Sequence, residues 1–268
     1  MSISIGVVGC AGRMGLSIIR EISVNNNLVL SGGTEVSDEF VGKDLGLLIG
    51  KKLLGAEILR DPRQLFERSD VVIDFTVPAA TLRHADIAAS TQTAHVIGTT
   101  GLSKDDQTVI RDAATRAPIL QAANFSLGVN LLLGLTRKVA AALDINYDIE
   151  IMEMHHRDKV DAPSGTALAL GNAAASGRDE ILEKRAQYLR YGIIGPRKEG
   201  EIGFATLRGG NVIGDHTVIF AGDHESLELR HKASSRDAFS EGAVRAATWL
   251  SQIKVPGIYS MSDVLDLA

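Results

Sequence analysis

Short apolar runs alternate with longer amphipathic stretches over the first 125 residues. Ser2-Ile-Ser-Ile-Gly-Val-Val8 reads as a buried strand, and Arg13–Ile22 carries a helical period behind it. Leu28–Thr34 predicts a second strand and Val71–Phe75 another, the latter followed by a helix over about Ala79–Ser90. His95–Gly98 and Ile119–Ala122 repeat the strand pattern, with a helix over Lys104–Arg116 between them. Apolar strands alternating with amphipathic helices predict a parallel sheet covered on both faces.

The pattern changes after Asn124. A long helix is expected over about Leu127–Leu143, and Ile149–Met154 then alternates like a strand. Beyond residue 200, Ile202–Leu207, His216–Phe220 and Ser226–His231 read as strands. Turn-like connections at Gly209-Gly210-Asn211 and Gly222-Asp223 suit an antiparallel or mixed sheet. A closing helix over about Ala238–Ile253 ends before Pro256-Gly257. The fold class is therefore α/β, with a dinucleotide-binding domain over residues 1–125 and a second, mixed-sheet domain over 126–236. The closing segment 237–268 is expected to pack back on the first domain. Gly177–Lys198 is charged, carries Gly192, Gly195 and Pro196, and reads as a mobile connection.

Composition narrows the partners. Hydrophobic residues make up 45% and charged residues 23%, while aromatics are only 4%, so the core is built from aliphatic side chains. The net charge of −5 gives no electrostatic reason to expect nucleic acid or an anionic membrane. One cysteine, Cys10, excludes an internal disulfide and fits a reducing compartment. Val7-Val8-Gly9-Cys10 looks like the end of a lipoprotein signal, but no Lys or Arg precedes it and the apolar stretch is short. No run approaches the roughly 20 apolar residues of a membrane span. A cytoplasmic enzyme is the expectation.

Two regions carry candidate chemistry. Gly9-Cys10-Ala11-Gly12-Arg13-Met14-Gly15 joins the first strand to the first helix as GxxGxxG, a variant of the dinucleotide fingerprint. Glu35 follows at the end of the second strand, where an acid accepts hydrogen bonds from the adenosine ribose. The alternative is that these glycines only turn a corner. Cys10, at a positive helix end, would have a lowered pKa, yet without a chemical partner it reads as a small filler. Gly98-Thr99-Thr100-Gly101 and Ala122-Ala123-Asn124-Phe125-Ser126 lie at the carboxyl edge of successive strands, where a nicotinamide would bind. Taken singly, each also fits an ordinary turn.

The second region is Glu153-Met-His155-His156-Arg-Asp-Lys159-Val-Asp161-Ala-Pro-Ser164-Gly165-Thr166. It places two imidazoles and an ammonium on a loop that leads into the helix Ala167–Ala175. The backbone N–H groups of Gly165 and Thr166, with the helix dipole behind them, suit an anion. Ser164 is also a natural N-cap. A proton donor beside a carboxylate-binding helix end describes an active site. The histidines could instead be surface residues or metal ligands with Asp158 or Asp161. Adjacent residues on an extended chain point apart, which disfavours joint chelation, and no CxxC, HExxH or carboxylate cluster supports a metal.

Together these motifs resemble the 4-hydroxy-tetrahydrodipicolinate reductase (dihydrodipicolinate reductase) family of bacterial and plant lysine biosynthesis. The likeness spans nearly the whole chain, including His231-Lys-Ala-Ser-Ser-Arg236 and Asp263-Val-Leu-Asp-Leu267. It implies a Rossmann-like N-terminal domain, a C-terminal substrate domain, and a homotetramer assembled through the C-terminal sheets. It also implies reduction of a cyclic unsaturated dicarboxylate by NADH or NADPH. The resemblance makes His155 the general acid/base and Lys159 a second proton donor, with His156, Ser164, Gly165 and Thr166 on substrate. Gly9 to Met14, Glu35, Gly98 to Thr100 and Ala122 to Phe125 would contact the cofactor. One departure is Val36, where members that use NADPH well often carry Arg directly after the ribose-binding acid. Arg13 and Lys43 remain as candidate cations, and NADH is expected to serve at least as well as NADPH. The rival readings are a reductase of another small imino or keto acid and a non-catalytic NAD(P)-binding sensor.

Overall fold

The computed structural model describes residues 2–267, which divide into two compact units. The first runs to residue 127 and resumes over 237–266; the second spans 128–236.

The first unit opens with β1 (Ile3–Val8), α1 (Arg13–Ile22) and β2 (Leu28–Thr34). α2 (Leu45–Leu48), β3 (Ile58–Leu59) and α3 (Pro62–Glu67) follow. Then come β4 (Val71–Asp74), α4 (Pro78–Thr91), β5 (Ala94–Ile97), α5 (Lys104–Ala113) and β6 (Pro118–Gln121). α6 (Leu127–Ala142) leads into the second unit, which holds β7 (Asp148–His155), α7 (Gly165–Gly177), α8 (Leu182–Arg185) and β8 (Ala186–Gln187). β9 (Ile202–Arg208), β10 (Asp215–Ala221) and β11 (Ser226–Lys232) complete its sheet. The chain then returns to the first unit as α9 (Asp237–Leu250), β12 (Gly257–Tyr259) and α10 (Met261–Val264).

The first sheet has the order β12-β6-β5-β4-β1-β2-β3, and every pairing is parallel. All four residues of β4 and all four of β5 are buried, as expected of strands covered on both faces. The chain winds outward from β1 in both directions, so β1 and β4 flank the switch point where ligands bind in such sheets. One core joins Ile5, Val7, Ile18, Ile73 and Val96 to Ala243, Ala246, Ala247 and Leu250 of α9. Gly242 permits that approach, since a Cβ there would lie 1.7 Å from the Phe125 carbonyl oxygen.

The second sheet has the order β11-β10-β7-β9-β8. β10 runs antiparallel to both β7 and β11, whereas β9 is parallel to β7 and β8 to β9. The sheet is mixed, but β9 and β10 form no hairpin, because β7 lies between them. The Gly209-Gly210 turn wraps the end of β7 instead: Gly209 N donates to the His155 carbonyl at 2.9 Å, and Arg157 N to that of Gly210 at 3.2 Å. Leu170 and Ala174 of α7 pack with Ile149, Ile151, Val218 and Phe220 on one face.

Gly177–Lys198, read as a mobile connection, carries some ordered contacts. That stretch contributes α8 and β8, and its arginines are anchored. Arg190 donates to both oxygens of Glu150 at 2.7 and 2.9 Å, and Arg197 pairs with Glu150 and Asp148. No helix among the described residues is long and apolar enough to cross a membrane.

Candidate active site

In the first unit, the loop after β1 is shaped by close approaches. Gly9 adopts φ +65°, and a Cβ there would sit 2.8 Å from Thr76 Cγ2. A Cβ on Gly15 would meet the carbonyl oxygens of Gly9 and Cys10 at 2.5 and 2.7 Å, so α1 can pack directly on the loop. Gly12 caps α1 without a side-chain hydrogen bond. A cleft of about 510 Å³ opens here, lined by Gly9, Gly12, Thr34, Glu35, Val36, Arg60, Thr76 and Arg83 among others. Glu35 Oε1 accepts from Ala11 N at 2.9 Å and its Oε2 from Val36 N at 3.2 Å, tying the loop to the end of β2.

Cys10 departs from its expected electrostatics. Its side chain is wholly buried, and burial, then the nearby Glu35 charge, push the thiol up to about 12 rather than down. The filler reading holds: Cβ and Sγ of Cys10 fill the space in front of Gly33. Only the backbone of Cys10 belongs to the loop surface. Phe125 is likewise a core residue, 1% exposed, with its ring 5.2 Å from that of Phe75. Arg13 is exposed and Met14 packs partly against the core.

A smaller pocket brings Thr99, Thr100 and Gly101 together with Ala122 and Ala123. Gly98 sits against the Phe75 ring, which would lie 2.2 Å from a Cβ. Asn124 Oδ1 accepts from Ser126 N at 2.9 Å. Beneath these turns lies a network that the strand pattern concealed. Asp74, at the end of β4, is fully buried and accepts from Thr76 N and Thr76 Oγ1 at 2.9 and 2.6 Å. Its Oδ2 lies 2.8 Å from His84 Nδ1 and 3.4 Å from His95 Nε2. Burial pushes Asp74 up, but the hydrogen bond with His84 and the close approach of His95 outweigh it and hold the carboxyl far below its usual range. The one available clue was an acid closing an otherwise apolar strand.

The cation nearest Val36 is also a residue that sequence reasoning missed. Arg60 Nη1 donates to the Val36 carbonyl at 3.0 Å, and its Nη2 pairs with Asp38. Lys43 instead stands over the Phe40 ring, 5.9 Å from its centroid.

In the second unit, β7 presents Ile149, Ile151, Glu153 and His155 to one side, as strand alternation requires. His156 follows outside the strand and is half-buried. Glu153 is 1% exposed and His155 8%, with Glu153 Oε2 2.5 Å from His155 Nδ1. Arg208, at the end of β9, donates through Nη1 and Nη2 to the two oxygens of Glu153 at 2.9 and 3.0 Å. Ser164 N donates to Glu153 Oε1 at 3.1 Å, and Ser164 Oγ accepts from Ala167 N at 3.2 Å as the N-cap of α7. Burial raises Glu153, but Arg208, His155 and the Ser164 amide together bring it below the usual carboxylate range.

His216 of β10 stacks edge-on against His155 at 5.1 Å, with Nε2 3.3 Å from Ser164 Oγ. Burial, then the proximity of His155, push His216 down to about 4, so it is neutral near pH 7. Lys159 is half-buried and its Nζ lies 2.7 and 3.0 Å from the Asp161 oxygens. The bond from Lys159 depresses Asp161. Gly165 is exposed, with nothing within 4 Å of a would-be Cβ, so the start of α7 is open at that residue. Thr166 is half-buried. The structure thus gathers His155, Ser164 and the α7 amide end around Glu153, Arg208 and His216, none of which had been singled out. Their only signal was Glu153 standing two residues before His155 on an alternating strand.

Comparison with known proteins matches both units. Residues 3–125 fit the family described as dihydrodipicolinate reductase, N-terminus, and residues 128–265 the corresponding C-terminus. A 4-hydroxy-tetrahydrodipicolinate reductase from Rhodopseudomonas palustris is 51% identical over 263 residues, covering 98% of this chain and 97% of the relative. One from Parvibaculum lavamentivorans is 52% identical over 267 residues, covering 99% and 98%. Among solved structures, a dipicolinate-bound dihydrodipicolinate reductase from Paenisporosarcina sp. superposes with a TM-score of 0.78 at 23% identity, covering 97% and 98%. A myo-inositol dehydrogenase from Corynebacterium glutamicum shares the fold more distantly, with a TM-score of 0.59 at 14% identity over 100% and 93% of the chains.

Proposed function

The chain belongs to the dihydrodipicolinate reductase family, and we propose that it reduces the dehydrated form of 4-hydroxy-tetrahydrodipicolinate to tetrahydrodipicolinate with NAD(P)H. The reading rests on one observation above the others: a nearly buried histidine, His155, in the same hydrogen-bonded cluster as Ser164, which caps the open end of α7. Hydride addition to a conjugated imine leaves electron density on the ring, so a positioned acid has to supply a proton. His155 does so, with Lys159 as a second donor on the same loop. His156, Ser164 and the amides of Gly165 and Thr166 hold a carboxylate, helped by the dipole of a 13-residue helix. The bound nicotinamide supplies the hydride, and the protein supplies position and electrostatics.

In the first unit, Gly9, Cys10 through its backbone, Ala11, Gly12, Arg13 and Met14 cradle the pyrophosphate at the start of α1. Glu35 holds the ribose. Gly98, Thr99, Thr100, Ala122, Ala123 and Asn124 serve the nicotinamide end, with Phe125 supporting them from the core. NADH serves at least as well as NADPH, because Val36 offers no cation and Arg60 is already engaged by Asp38 and the Val36 carbonyl. A KM for NADPH ten-fold below that for NADH would overturn this preference. The protein works in the cytoplasm as a homotetramer, and the face of the second sheet bearing exposed Met152 and Leu207 supports such assembly.

The deciding experiment follows NADH and NADPH oxidation with the cyclic substrate made in situ from pyruvate and aspartate semialdehyde by a synthase. Wild-type turnover that collapses in His155→Ala/Lys159→Ala, with cofactor binding retained, is expected. Tight cofactor binding without turnover in the wild type would favour a sensor or a different substrate.

A further inference from the structure

We propose that Glu153 is a positioning residue for the proton-transfer histidine, fixing which ring nitrogen of His155 exchanges its proton. This rests on His155 being the proton donor. The geometry of the carboxylate leaves little choice. An ionised carboxylate offers about four acceptor positions. Here Oε1 takes Ser164 N at 3.1 Å and Arg208 Nη2 at 3.0 Å, while Oε2 takes Arg208 Nη1 at 2.9 Å and faces His155 Nδ1 at 2.5 Å.

With the Arg208 fork on it, Glu153 is an anion with no proton to give, so His155 Nδ1 must be the donor. The neutral ring is then the Nδ1–H tautomer, and Nε2 is the nitrogen that loads and releases protons. His155 Nε2 makes no hydrogen bond among the described residues, and Gly214 keeps the space before it free of a side chain: a Cβ there would lie 3.0 Å away. In the reaction, the imidazolium gives its Nε2 proton to the substrate as hydride arrives, keeps Nδ1–H on Glu153, and regains the Nε2 proton from water. One hydride and one proton are consumed.

The other charges around this pair come from each neighbouring strand and from the loop. β9 contributes Arg208. β10 contributes His216, neutral near pH 7, and Asp215, whose partner is Lys232 of β11 at 3.2 Å. His231 of β11 is pushed down by burial, and on the loop Lys159 and Asp161 neutralise each other. Glu153, held in place by Arg208, is therefore the carboxylate in direct contact with the His155 ring.

The test compares Glu153→Gln with His155→Ala. Glu153→Gln is expected to lower kcat/KM about 100-fold, the low end of what a positioned acid contributes. It should also move the basic limb of the pH profile toward acid, since the carboxylate beside the ring is gone. Cofactor affinity should not change. Near-wild-type turnover and an unmoved limb in Glu153→Gln, alongside an inactive His155→Ala, would overturn the positioning role and leave His155 as the donor. An active His155→Ala would instead strike down the reading of His155. A measurement on the unaltered protein covers a variant that fails to fold. Histidine-selective 15N spectra above pH 8 should show the ring of His155, identified by its loss in His155→Ala, as the Nδ1–H tautomer. The Nε2–H tautomer would overturn the proposal.

Discussion

Each unit buries a carboxylate among imidazoles near the end of a strand, and the two clusters have different surroundings. Asp74 lies sealed beneath the cofactor-side turns, touched by His84 and His95 and by threonine hydroxyl and amide groups. His95 is completely enclosed, pushed down by burial, and neither ring nitrogen has an aligned hydrogen bond. Glu153 is almost as buried, but Arg208 fixes its charge and His155 keeps Nε2 uncommitted. On the proposed reading, the same residue types do different work. A carboxylate–histidine pair that closes on itself holds turns in place, whereas one that leaves a ring nitrogen uncommitted at a loop can pass a proton.

The largest effect should separate the clusters by function. His155→Ala should cut turnover by about 10²- to 10⁴-fold, the range for a general acid, while the midpoint of denaturation moves little. Asp74→Ala should do the reverse. Leaving a buried polar group without its partner costs about 1–3 kcal/mol, so urea titration should show a clear loss, with turnover per folded molecule nearly kept. If Asp74→Ala abolished turnover in folded protein, the division between closed and open clusters would fail.

Acid should sharpen the same contrast. The folded-state value of Asp74 lies below its unfolded 3.8, so its contribution is fully present above that pH and is lost as pH falls beneath it. Asp74→Asn should flatten the stability curve only in that acid arm. His216 titrates near 4 in the folded protein against 6.5 unfolded. Between those values the unfolded chain binds more protons, so stability declines as pH falls from 6.5 toward 4, by up to about 3 kcal/mol. His216→Gln should remove that slope, and calorimetry across pH 4–7 would show it. An unchanged slope would mean that another group carries it.

The smallest effect concerns the cofactor edge. Asp38→Asn should free Arg60 and lower the KM for NADPH about three-fold without altering that for NADH, a gain of under 1 kcal/mol, as for an exposed ion pair. Equal changes for both cofactors would show that Arg60 does not read the ribose phosphate.

Much of this was legible because it is local. The bounds of α1 and β2 follow from periodicity alone, and Gly9, Gly12 and Gly15 declare a tight strand–turn–helix. Ser164 as N-cap is equally local. The partners of His155 are not: Arg208 reaches Glu153 across 55 residues, and His216 reaches Ser164 across 52. Which strand lies beside β7 decides both, and the short Gly209-Gly210 connection does not reveal that β7 lies between β9 and β10. Cys10 shows the converse limit. A helix start is visible in sequence, but the desolvation that raises the thiol depends on packing against Gly33 and on Glu35. α2 and β3, four and two residues long, are too short to show a period.

The return of α9 and β12 to the first sheet bears on how the protein is made. Strands β1 to β6 leave the ribosome by Gln121, but the helix that covers their apolar face begins only at Asp237. The strand that pairs with the edge of β6 comes later still, at Gly257–Tyr259. During the synthesis of everything between, the nascent first unit carries a bare hydrophobic surface and an open edge. The second unit, whose strands end at Lys232, completes its sheet first. The half that is translated earlier is thus the half that matures later, since its sheet can be covered and its edge paired only once α9 and β12 have emerged.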